Sequence, residues 1–301
     1  MNVLLIRPRH FGHNPDTAAS NRFQSTAPPL DARAIQDRAA AEHDGLVAAL
    51  RDAGVRAIVV DDTETPPKPD AVFPNNWVSF HEDGTVILYP MEAPSRRTER
   101  RRDVIGLLER EAVFRASRVI DLSPLERRGL YLEGTGSLVL DHRERVAYAA
   151  LSSRTHAEAV AEFGRQLGFE TVTFDTRDET GVPLYHTNVM LSIGEHFAVI
   201  CADAIPDLRQ RRAVLDRLAA TGRKVLPISR GQMNAFAANI LELATGGGRR
   251  VIAMSETARQ AFEPAQLERL AANADIMAAA IPTIERVGGG SVRCMLAEIF
   301  V

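Results

Sequence analysis

The sequence predicts a mixed α/β fold with an internal architectural repeat. Short apolar, β-branched runs alternate with helical stretches, and a strand or hairpin, helix, strand pattern returns roughly every 50 to 65 residues, about five times. A chain of 301 residues built from such units can close into a propeller around a central pocket. An open doubly wound sheet is the alternative, but the frequent hairpins argue against a purely parallel sheet. We expect one domain over residues 1–301.

The first elements follow from local signals. Residues 3–6 are an apolar run typical of a buried strand, and residues 10–30 lack periodicity, which predicts a long loop of the kind that often covers a binding site. Residues 32–53 are periodic, with Asp31 as N-cap and Gly54 as the stop signal. The same reasoning predicts strands at 55–60, 71–73, 85–89, 119–122, 171–174, 225–228, 250–254 and 295–301, hairpins over 137–150 and 185–201, and helices at 98–111, 156–167, 207–220, 235–244, 256–262 and 264–272.

Composition excludes several classes of protein. The formal net charge is −3, the basic residues are nearly all arginines interleaved with acids, and Lys68 and Lys224 are the only lysines, so nothing favours a nucleic-acid partner. No apolar run is long enough for a membrane span. Two cysteines cannot form a disulfide framework, so we expect a cytoplasmic protein. The sequence leaves a homodimer open.

The most informative stretch lies near the C terminus, where three glycines at 288–290 precede Cys294 and a strand-like run. Glycine lets the backbone approach a ligand closely, and backbone N–H groups there can hold developing negative charge. A thiol at this place can serve as a nucleophile for a small bound molecule. The alternative is a turn followed by a buried structural cysteine. Cys201 lies inside an apolar run, and we expect it in the core.

A thiol nucleophile needs an acid or base partner and a group that orients that partner. His186 begins an apolar strand-like run, and Glu133 is followed by Gly134 in a sequence that leaves room for a ligand. Taken singly, each has an ordinary structural explanation as a strand-end or turn residue. His10 and His13 have no third ligand cluster beside them, so we expect neither a metal nor another cofactor.

Taken together, these motifs resemble the guanidino-group-modifying enzyme superfamily: arginine deiminases, dimethylarginine dimethylaminohydrolases and amidinotransferases. The resemblance rests on five motifs in the family's order: Ala93-Pro94-Ser95-Arg96-Arg97, Glu133-Gly134-Thr135-Gly136, Leu151-Ser152-Ser153-Arg154-Thr155, His186-Thr187-Asn188 and Arg293-Cys294. Asp70, in Pro69-Asp70-Ala71-Val72-Phe73, is a further match, and the resemblance extends from about Pro69 to the C terminus. It implies a five-fold pseudo-symmetric ββαβ propeller, the pentein fold, with a central active site.

The resemblance also implies residue roles. Cys294 would be the nucleophile, His186 the general acid and base, and Glu133 the residue that orients and charges His186. Arg97 and Arg154 would hold the α-carboxylate of an amino-acid substrate, a task that suits guanidinium forks. Asp70 would hold its α-amino group.

One departure from the family indicates the substrate. Asn75, Asn76 and Asn188 stand where relatives that act on cations carry acids, and Gly136 replaces a further acid. A buried guanidinium without a carboxylate partner would cost on the order of 3–5 kcal/mol. A carboxamide offers both a donor and an acceptor, which suits a neutral ureido group. The sequence is also similar to the citrulline-utilisation branch of the superfamily.

We therefore expect a cysteine-dependent hydrolase that converts citrulline, or a close analogue, to ornithine, carbon dioxide and ammonia. The alternatives are a guanidino hydrolase of the arginine deiminase or dimethylarginine hydrolase type, an amidinotransferase, and a non-catalytic amino-acid-binding protein on the same scaffold. The combination of Cys294, His186 and Glu133 argues against the last, because binding alone needs no nucleophile.

Overall fold

Sheets of three short strands follow one another along the chain, with helices between them, in a computed structural model that describes residues 1–24 and 31–300. The strands are β1 Asn2–Arg7, β2 Arg56–Asp61, β3 Val78–Phe80, β4 Thr85–Leu88, β5 Arg118–Asp121, β6 Val139–Asp141, β7 Val146–Leu151, β8 Glu170–Asp175, β9 Leu191–Ile193, β10 Phe197–Ile200, β11 Lys224–Pro227, β12 Leu241–Ala244, β13 Arg250–Ser255, β14 Asp275–Ala279 and β15 Ala297–Ile299. The helices are α1 Pro15–Ala18, α2 Ala32–Asp52, α3 Arg102–Arg110, α4 Gly134–Ser137, α5 Ala157–Leu167, α6 Leu208–Ala219, α7 Arg230–Asn234, α8 Glu256–Ala261, α9 Pro264–Ala271 and α10 Pro282–Gly288.

Each sheet repeats one ββαβ pattern. In the described residues, the middle strand pairs antiparallel with the strand before it and parallel with the strand that follows the helix, as in β3-β4-β5 and β6-β7-β8. A parallel pairing needs a crossover connection, which the helix supplies. The described part of the chain contains five such sheets, as the repeat predicted.

The chain ends close the arrangement. The sheet of order β15-β1-β2 joins the C-terminal strand to the N-terminal one, with Asn2 opposite Ile299 in an antiparallel register. The first strands of successive hairpins also neighbour one another, since β15 lies beside β3, β6 beside β9, and β9 beside β12. The segments that follow the outer strands β2, β5, β8, β11 and β14 and precede these inner strands therefore meet at the centre of a five-unit propeller.

The hydrophobic core lies between the sheets and their helices. The middle strand β7 is buried along Val146–Ala150, which is typical of a strand covered on both faces. Helix α5 turns Val160 and Phe163 into that core, and α2 packs Leu46 and Leu50 against the first sheet in the same way. Asp31 caps α2 by accepting from the N–H of Ala34, as the sequence predicted.

Two predicted elements are wrong. Residues 71–73 are not a strand; they lead into a 3₁₀ turn at Pro74–Asn76, and β3 pairs with β4 instead, with Val78 opposite Leu88. The predicted helix at 235–244 is interrupted because Phe236 adopts a positive φ of 61°, and Leu241–Ala244 forms a strand with β13. In both places, pairing with a distant strand overrides the local apolar pattern.

Among the elements that the sequence analysis missed are β14 and α10. Strand β14 is rich in alanine and carries no clear strand signal, yet it pairs in parallel with β13 from Val251 opposite Asp275 onward. Helix α10 has Pro282 in its first turn and ends at Gly289, whose φ of +65° is the left-handed conformation that favours glycine. Those two signals were readable from the sequence.

The predicted loop at 10–30 is mostly irregular where it is described and contains the short helix α1; its residues 25–30 lie outside the described residues, as does Val301 of the predicted last strand. Across the parts of the chain that the structure describes, no helix has the length and apolar character that a membrane crossing requires.

Candidate active site

Cys294 lies on a single 3₁₀ turn, Val292–Met295, between α10 and β15. The residue is 3% exposed. The glycines before it are required by space: a Cβ on Gly290 would lie 2.9 Å from the ring of Phe73, and one on Gly288 would lie 2.8 Å from the same ring. Phe73 and the glycine turn therefore pack together and present the thiol to the propeller centre.

Two carboxamides flank the Cys294 sulfur. The Nδ2 atom of Asn188 lies 3.5 Å from Sγ, and that of Asn239 lies 3.3 Å from it. Asn188 follows β8 on the 3₁₀ turn Thr187–Val189, and Asn239 precedes β12. The predicted site residue Asn188 and the predicted nucleophile are thus brought together.

His186 and Glu133 form a buried pair. Nε2 of His186 lies 2.8 Å from Oε2 of Glu133, and both residues are almost fully buried. Burial lowers the pKa of His186 to about 4, against the opposing effect of Glu133, so its imidazole is neutral at pH 7. A neutral imidazole can accept a proton, and the carboxylate then stabilises the imidazolium that forms.

The space around Gly136 explains why this position carries glycine and not the acid found in the family motif. A Cβ at this position would lie 2.6 Å from Nδ1 of His186 and 2.6 Å from Nδ2 of Asn76. Any larger residue would push the imidazole away from Glu133. Glycine at 136 therefore lets the histidine ring and the asparagine side chain meet.

Glu133 stays ionised because cations surround it. Its Oε2 lies 3.4 Å from Nη1 of Arg154 and 3.6 Å from Nη1 of Arg96. Burial acts to raise the pKa of Glu133, but Arg154, the hydrogen bond from His186 and Arg96 together hold that pKa well below its usual range. The carboxylate is therefore available as a permanent partner for His186.

Arg96 lines the cavity beside Cys294, although the sequence analysis singled out its neighbour Arg97. It makes two 2.9 Å bonds to Glu99, donates to Oδ1 of Asn76 at 2.9 Å, and lies 3.7 Å from Asp70. Burial acts to lower the pKa of Arg96, but Glu99, Asp70 and Glu133 raise it above its usual value.

Arg97 points elsewhere. It donates to the carbonyl oxygens of Met91 and Glu92, at 3.1 and 3.2 Å, and pairs with Glu126 at 3.3 Å. It does not line the cavity beside Cys294. Adjacent residues on the 3₁₀ segment Pro94–Glu99 face different directions, so Arg96 lines the cavity while Arg97 does not.

Asp70 keeps one acceptor free for a ligand. Its Oδ2 accepts from Nδ2 of Asn14 at 2.7 Å and from the hydroxyl of Thr17 at 3.4 Å. Its buried Oδ1 has no hydrogen-bond partner among the described residues. A buried carboxylate oxygen without a partner is costly, and an ammonium group would satisfy it.

Asn75 and Asn76 are both buried beside α4. Nδ2 of Asn76 donates to Oδ1 of Asn75 at 2.9 Å, while Nδ2 of Asn75 has no partner among the described residues. Asn76 lines the cavity and Asn75 lies behind it. The predicted pair is therefore part of the site, with one of its amides in direct reach of the cavity.

A family model described as "N,N dimethylarginine dimethylhydrolase, eukaryotic" matches residues 7–301. The chain belongs to this family. It is thus a member of the guanidino-group-modifying superfamily and a hydrolase that acts on carbon–nitrogen bonds. A search of the curated proteins found no match.

Three solved structures illustrate the likeness in fold. The N-terminal domain of ArgZ, an arginine dihydrolase from the ornithine–ammonia cycle in cyanobacteria, was solved as a cysteine-to-serine variant bound to substrate; it has a TM-score of 0.76 and 18% identity over 99% of this chain and 98% of that one. AgrE, in a binary complex of a cysteine-to-alanine variant with L-arginine, has a TM-score of 0.75 and 17% identity over 98% of this chain and 40% of AgrE. A dimethylarginine dimethylaminohydrolase variant, as the adduct with S-methyl-L-thiocitrulline, has a TM-score of 0.64 and 14% identity over 98% of both chains. These likenesses establish the pentein fold.

The N-terminal segment 14–24 covers the site of this family member. Nη2 of Arg154 donates to the hydroxyl of Ser20 at 2.7 Å and to the carbonyl of Thr17 at 3.0 Å. Nδ2 of Asn21 donates to the carbonyls of Gly288 and Gly289, at 3.2 and 3.4 Å. The cavity left beside Cys294 measures about 10 Å³, which holds about one water molecule. A cavity of this size is too small for an amino acid.

A larger cavity of about 530 Å³ lies on the other side of Phe23. The Phe23 ring packs edge-on against Tyr185 at 5.9 Å, and Tyr185 in turn donates to the carbonyl of Gly289. The larger cavity contains none of the predicted catalytic residues. The predicted residues Cys294 and His186 line the small cavity instead.

His10 and His13 are the two histidines that the sequence analysis considered as metal ligands, with the expectation that no metal binds there. The ring of His10 contacts the carbonyl of Glu64 at 2.8 Å. Over residues 1–24 and 31–300, no group of three or more His, Cys, Asp or Glu side chains is arranged to bind a metal.

Sequence reasoning missed Arg96, Tyr185 and Asn239. Arg96 and Tyr185 are each adjacent to a residue that was singled out, so the neighbourhood was visible but the orientation was not. Asn239 carried no signal, because it lies in a stretch that was predicted to be helical and is 55 residues from Cys294.

Proposed function

We propose that this protein hydrolyses the ureido group of citrulline, or of a close ureido amino acid, through a covalent intermediate on Cys294. The proposal rests on the groups around the Cys294 sulfur. The Nδ2 atoms of the neutral carboxamides of Asn188 and Asn239 lie 3.5 and 3.3 Å from Sγ. A ureido carbon within bonding distance of that sulfur would lie among neutral donors and acceptors, which match its C=O and NH2 groups.

The first step forms a thiocarbamate. The neutral His186 takes the proton of Cys294, the thiolate attacks the ureido carbon, and the bond from that carbon to the substrate Nδ breaks. His186 returns the proton to the departing amine, which leaves as ornithine, while Glu133 stabilises the imidazolium in between.

The second step consumes water. His186 removes a proton from a water molecule, the hydroxide attacks the carbamoyl carbon, and the carbon–sulfur bond breaks with the proton returned to Cys294. The carbamic acid released decomposes to carbon dioxide and ammonia. The overall products are ornithine, carbon dioxide and ammonia, with one water consumed.

The amino-acid end of the substrate finds partners at the other side of the cavity. The free Oδ1 of Asp70 is suited to the α-ammonium group. Arg154, which donates two bonds to the Ser20 hydroxyl, is suited to the α-carboxylate once that hydroxyl is displaced. Arg97, the other arginine that the resemblance implied, would first have to leave its contacts with Met91, Glu92 and Glu126, so we assign the carboxylate to Arg154.

Arginine is the second candidate substrate. Around the cavity, the carboxyl groups of Asp70, Glu99 and Glu133 lie against the guanidiniums of Arg96 and Arg154, and of the three only Asp70 lines the cavity itself. A substrate with one extra positive charge would balance that set, and L-arginine is the ligand of the AgrE complex. We favour citrulline because those carboxylates already contact Arg96 or Arg154, whereas the groups beside the sulfur are uncharged.

A substrate panel tests the proposal. Purified protein is incubated separately with citrulline, arginine and asymmetric dimethylarginine, and ornithine, citrulline and ammonia are quantified over time. We expect ornithine and one ammonia per citrulline, and kcat/KM for arginine at least tenfold lower. Preferential turnover of arginine to ornithine would replace citrulline with the second candidate, and turnover of none of the three would overturn the assignment.

A quench experiment tests the covalent step. The reaction with citrulline is stopped in acid and the protein is digested for peptide mass analysis. We expect a carbamoyl group on the Cys294 peptide and an unmodified Cys201 peptide. A Cys294 peptide that stays unmodified at every quench time, in protein that turns over, would contradict a covalent intermediate that accumulates during turnover.

A further inference from the structure

Asn239 is a fully buried residue whose side chain reaches the nucleophile. The chain turns sharply just before it: Phe236 has a φ of +61°, and the N–H of Asn239 donates to the Phe236 carbonyl at 2.8 Å. A positive φ at a residue with a bulky side chain is uncommon and strained, and it persists only where the surroundings hold it. This turn aims the Asn239 carboxamide at Cys294.

The orientation of that carboxamide follows from its second contact. Its Nδ2 lies 3.1 Å from the backbone carbonyl oxygen of Asn188. A carbonyl oxygen can only accept, so the amide atom facing it must be the NH2 group. One hydrogen of that group is used there, and the other is available to Cys294 Sγ at 3.3 Å. The carboxamide oxygen lies farther from the sulfur, at 3.6 Å.

Asn188 is fixed in the same way. Its Nδ2 lies 3.3 Å from the carbonyl oxygen of Thr135 and 3.5 Å from Sγ of Cys294. Its own side-chain oxygen is farther from the sulfur, at 3.9 Å. Two amide N–H groups, each oriented by a backbone carbonyl, therefore converge on one sulfur atom.

We propose that Asn239 is a further catalytic residue, whose side-chain N–H donates to the Cys294 sulfur and stabilises its thiolate form, with Asn188 as the second donor. This inference rests on the proposed role of Cys294 as nucleophile.

The physical reason is the difference between a thiol and a thiolate as acceptors. A neutral sulfur accepts hydrogen bonds weakly, whereas hydrogen bonds to a charged acceptor are about twice as strong as neutral ones. Donors fixed near the sulfur therefore favour the thiolate. His186 is neutral at pH 7 in the free protein, so no imidazolium balances a thiolate before substrate binds. Carboxamides supply that stabilisation without placing a positive charge beside the substrate.

The test measures the reactivity of Cys294 without any substrate. Wild type, Asn239→Leu and Asn239→Asp are alkylated with iodoacetamide across a range of pH, and labelling of the Cys294 peptide is followed by mass analysis. The leucine is close in shape to asparagine but has no donor. We expect it to move the midpoint of the pH–rate profile upward by about one unit and to slow labelling at pH 7 about tenfold. The aspartate places a negative charge beside the sulfur, and we expect a larger upward shift.

Two controls separate this effect from loss of structure. Asn234→Leu, at the exposed end of α7, should leave the profile unchanged. Cys201 is fully buried and burial raises its pKa, so it stays unlabelled while the protein is folded and reports unfolding in the same sample.

The outcomes are distinct. If a folded Asn239→Leu or Asn239→Asp variant has the wild-type midpoint, Asn239 does not stabilise the thiolate and the inference is wrong. If one variant exposes Cys201, the other decides. If Cys294 of wild type resists alkylation at every pH at which the protein is folded, and Cys294→Ser keeps citrulline hydrolysis, the proposed nucleophile itself fails, whatever the variants do.

Discussion

Replacing Glu133 with glutamine tests the centre of the proposed mechanism. Oε2 of Glu133 is 2.8 Å from Nε2 of His186, and its Oε1 accepts from the N–H of Glu92 at 3.1 Å. Glutamine has nearly the same shape, so Glu133→Gln removes the charge and leaves the packing in place. The imidazolium that forms when His186 takes the thiol proton would then lose its counter-charge.

The expected magnitude follows from the kind of bond that is lost. A hydrogen bond to a charged group contributes about 1.5–3 kcal/mol. If that contribution is made mainly to the imidazolium in the transition state, kcat falls by about ten- to 150-fold at 1.36 kcal/mol per decade. Because Glu133 also acts to raise the pKa of His186, the variant should have an even lower histidine pKa, and the acid limb of kcat/KM should move to lower pH.

Stability supplies a second readout with a definite sign. The pKa of Glu133 is held below its ordinary value of 4.5, so its contribution to the free energy of unfolding is fully present above that pH and is lost as the pH falls. The variant should be less stable than wild type at pH 7, and the difference should narrow in acid. Urea unfolding at a series of pH values measures this.

Glu242→Gln is the matched control. Glu242 is also a buried glutamate; it accepts from the N–H of Glu195 and lies 3.6 Å from Arg250, in strand β12. We expect it to change stability and to leave kcat within about threefold of wild type. The reasoning would be refuted if Glu133→Gln, folded as judged by urea unfolding, kept wild-type kcat, or if both variants lost kcat equally.

The remaining predictions concern the nucleophile and the substrate contacts. Cys294→Ser should lose citrulline hydrolysis in a steady-state ornithine assay, and full activity would remove the covalent mechanism. Arg154→Ala should raise KM by about ten- to a hundredfold, while Arg97→Ala changes it less than about threefold; the reverse order would return the carboxylate to Arg97. The double change Asn76→Asp with Asn188→Asp should weaken citrulline turnover, because two buried carboxylates would face a neutral group; unchanged kcat/KM for citrulline would contradict the charge argument.

The repeat could be predicted from the sequence because each unit has a recognisable local pattern. Apolar β-branched runs, hairpin turns and an amphipathic helix recur in order, and five such units are observed in the described residues. The wrongly predicted and missed elements are those whose conformation depends on contacts with segments distant in the sequence. Strand β14 pairs in a parallel register with β13, and residues 71–73 lead into a 3₁₀ turn, with the Phe73 ring packed against Gly288 and Gly290.

The site was predicted as a set of residue types, and most of those residues do converge. Glu133 and His186 form a pair, and Asn188 reaches Cys294 across 106 residues of sequence. The direction of a side chain was not predictable in the same way. Arg96 and Arg97 are identical in type and adjacent in sequence, yet only Arg96 lines the cavity.

The sequence by itself determined the fold class, the family motifs and the chemical types available at the site, because these depend on local patterns and residue identity. Only the tertiary structure decided which groups meet. Asn239 lies in an unremarkable stretch, and its contact with the sulfur arises from the closure of the propeller and from one strained residue, Phe236. The same closure places segment 14–24 over Arg154. Contacts between residues far apart in the chain depend on how every unit packs, and no local pattern records them.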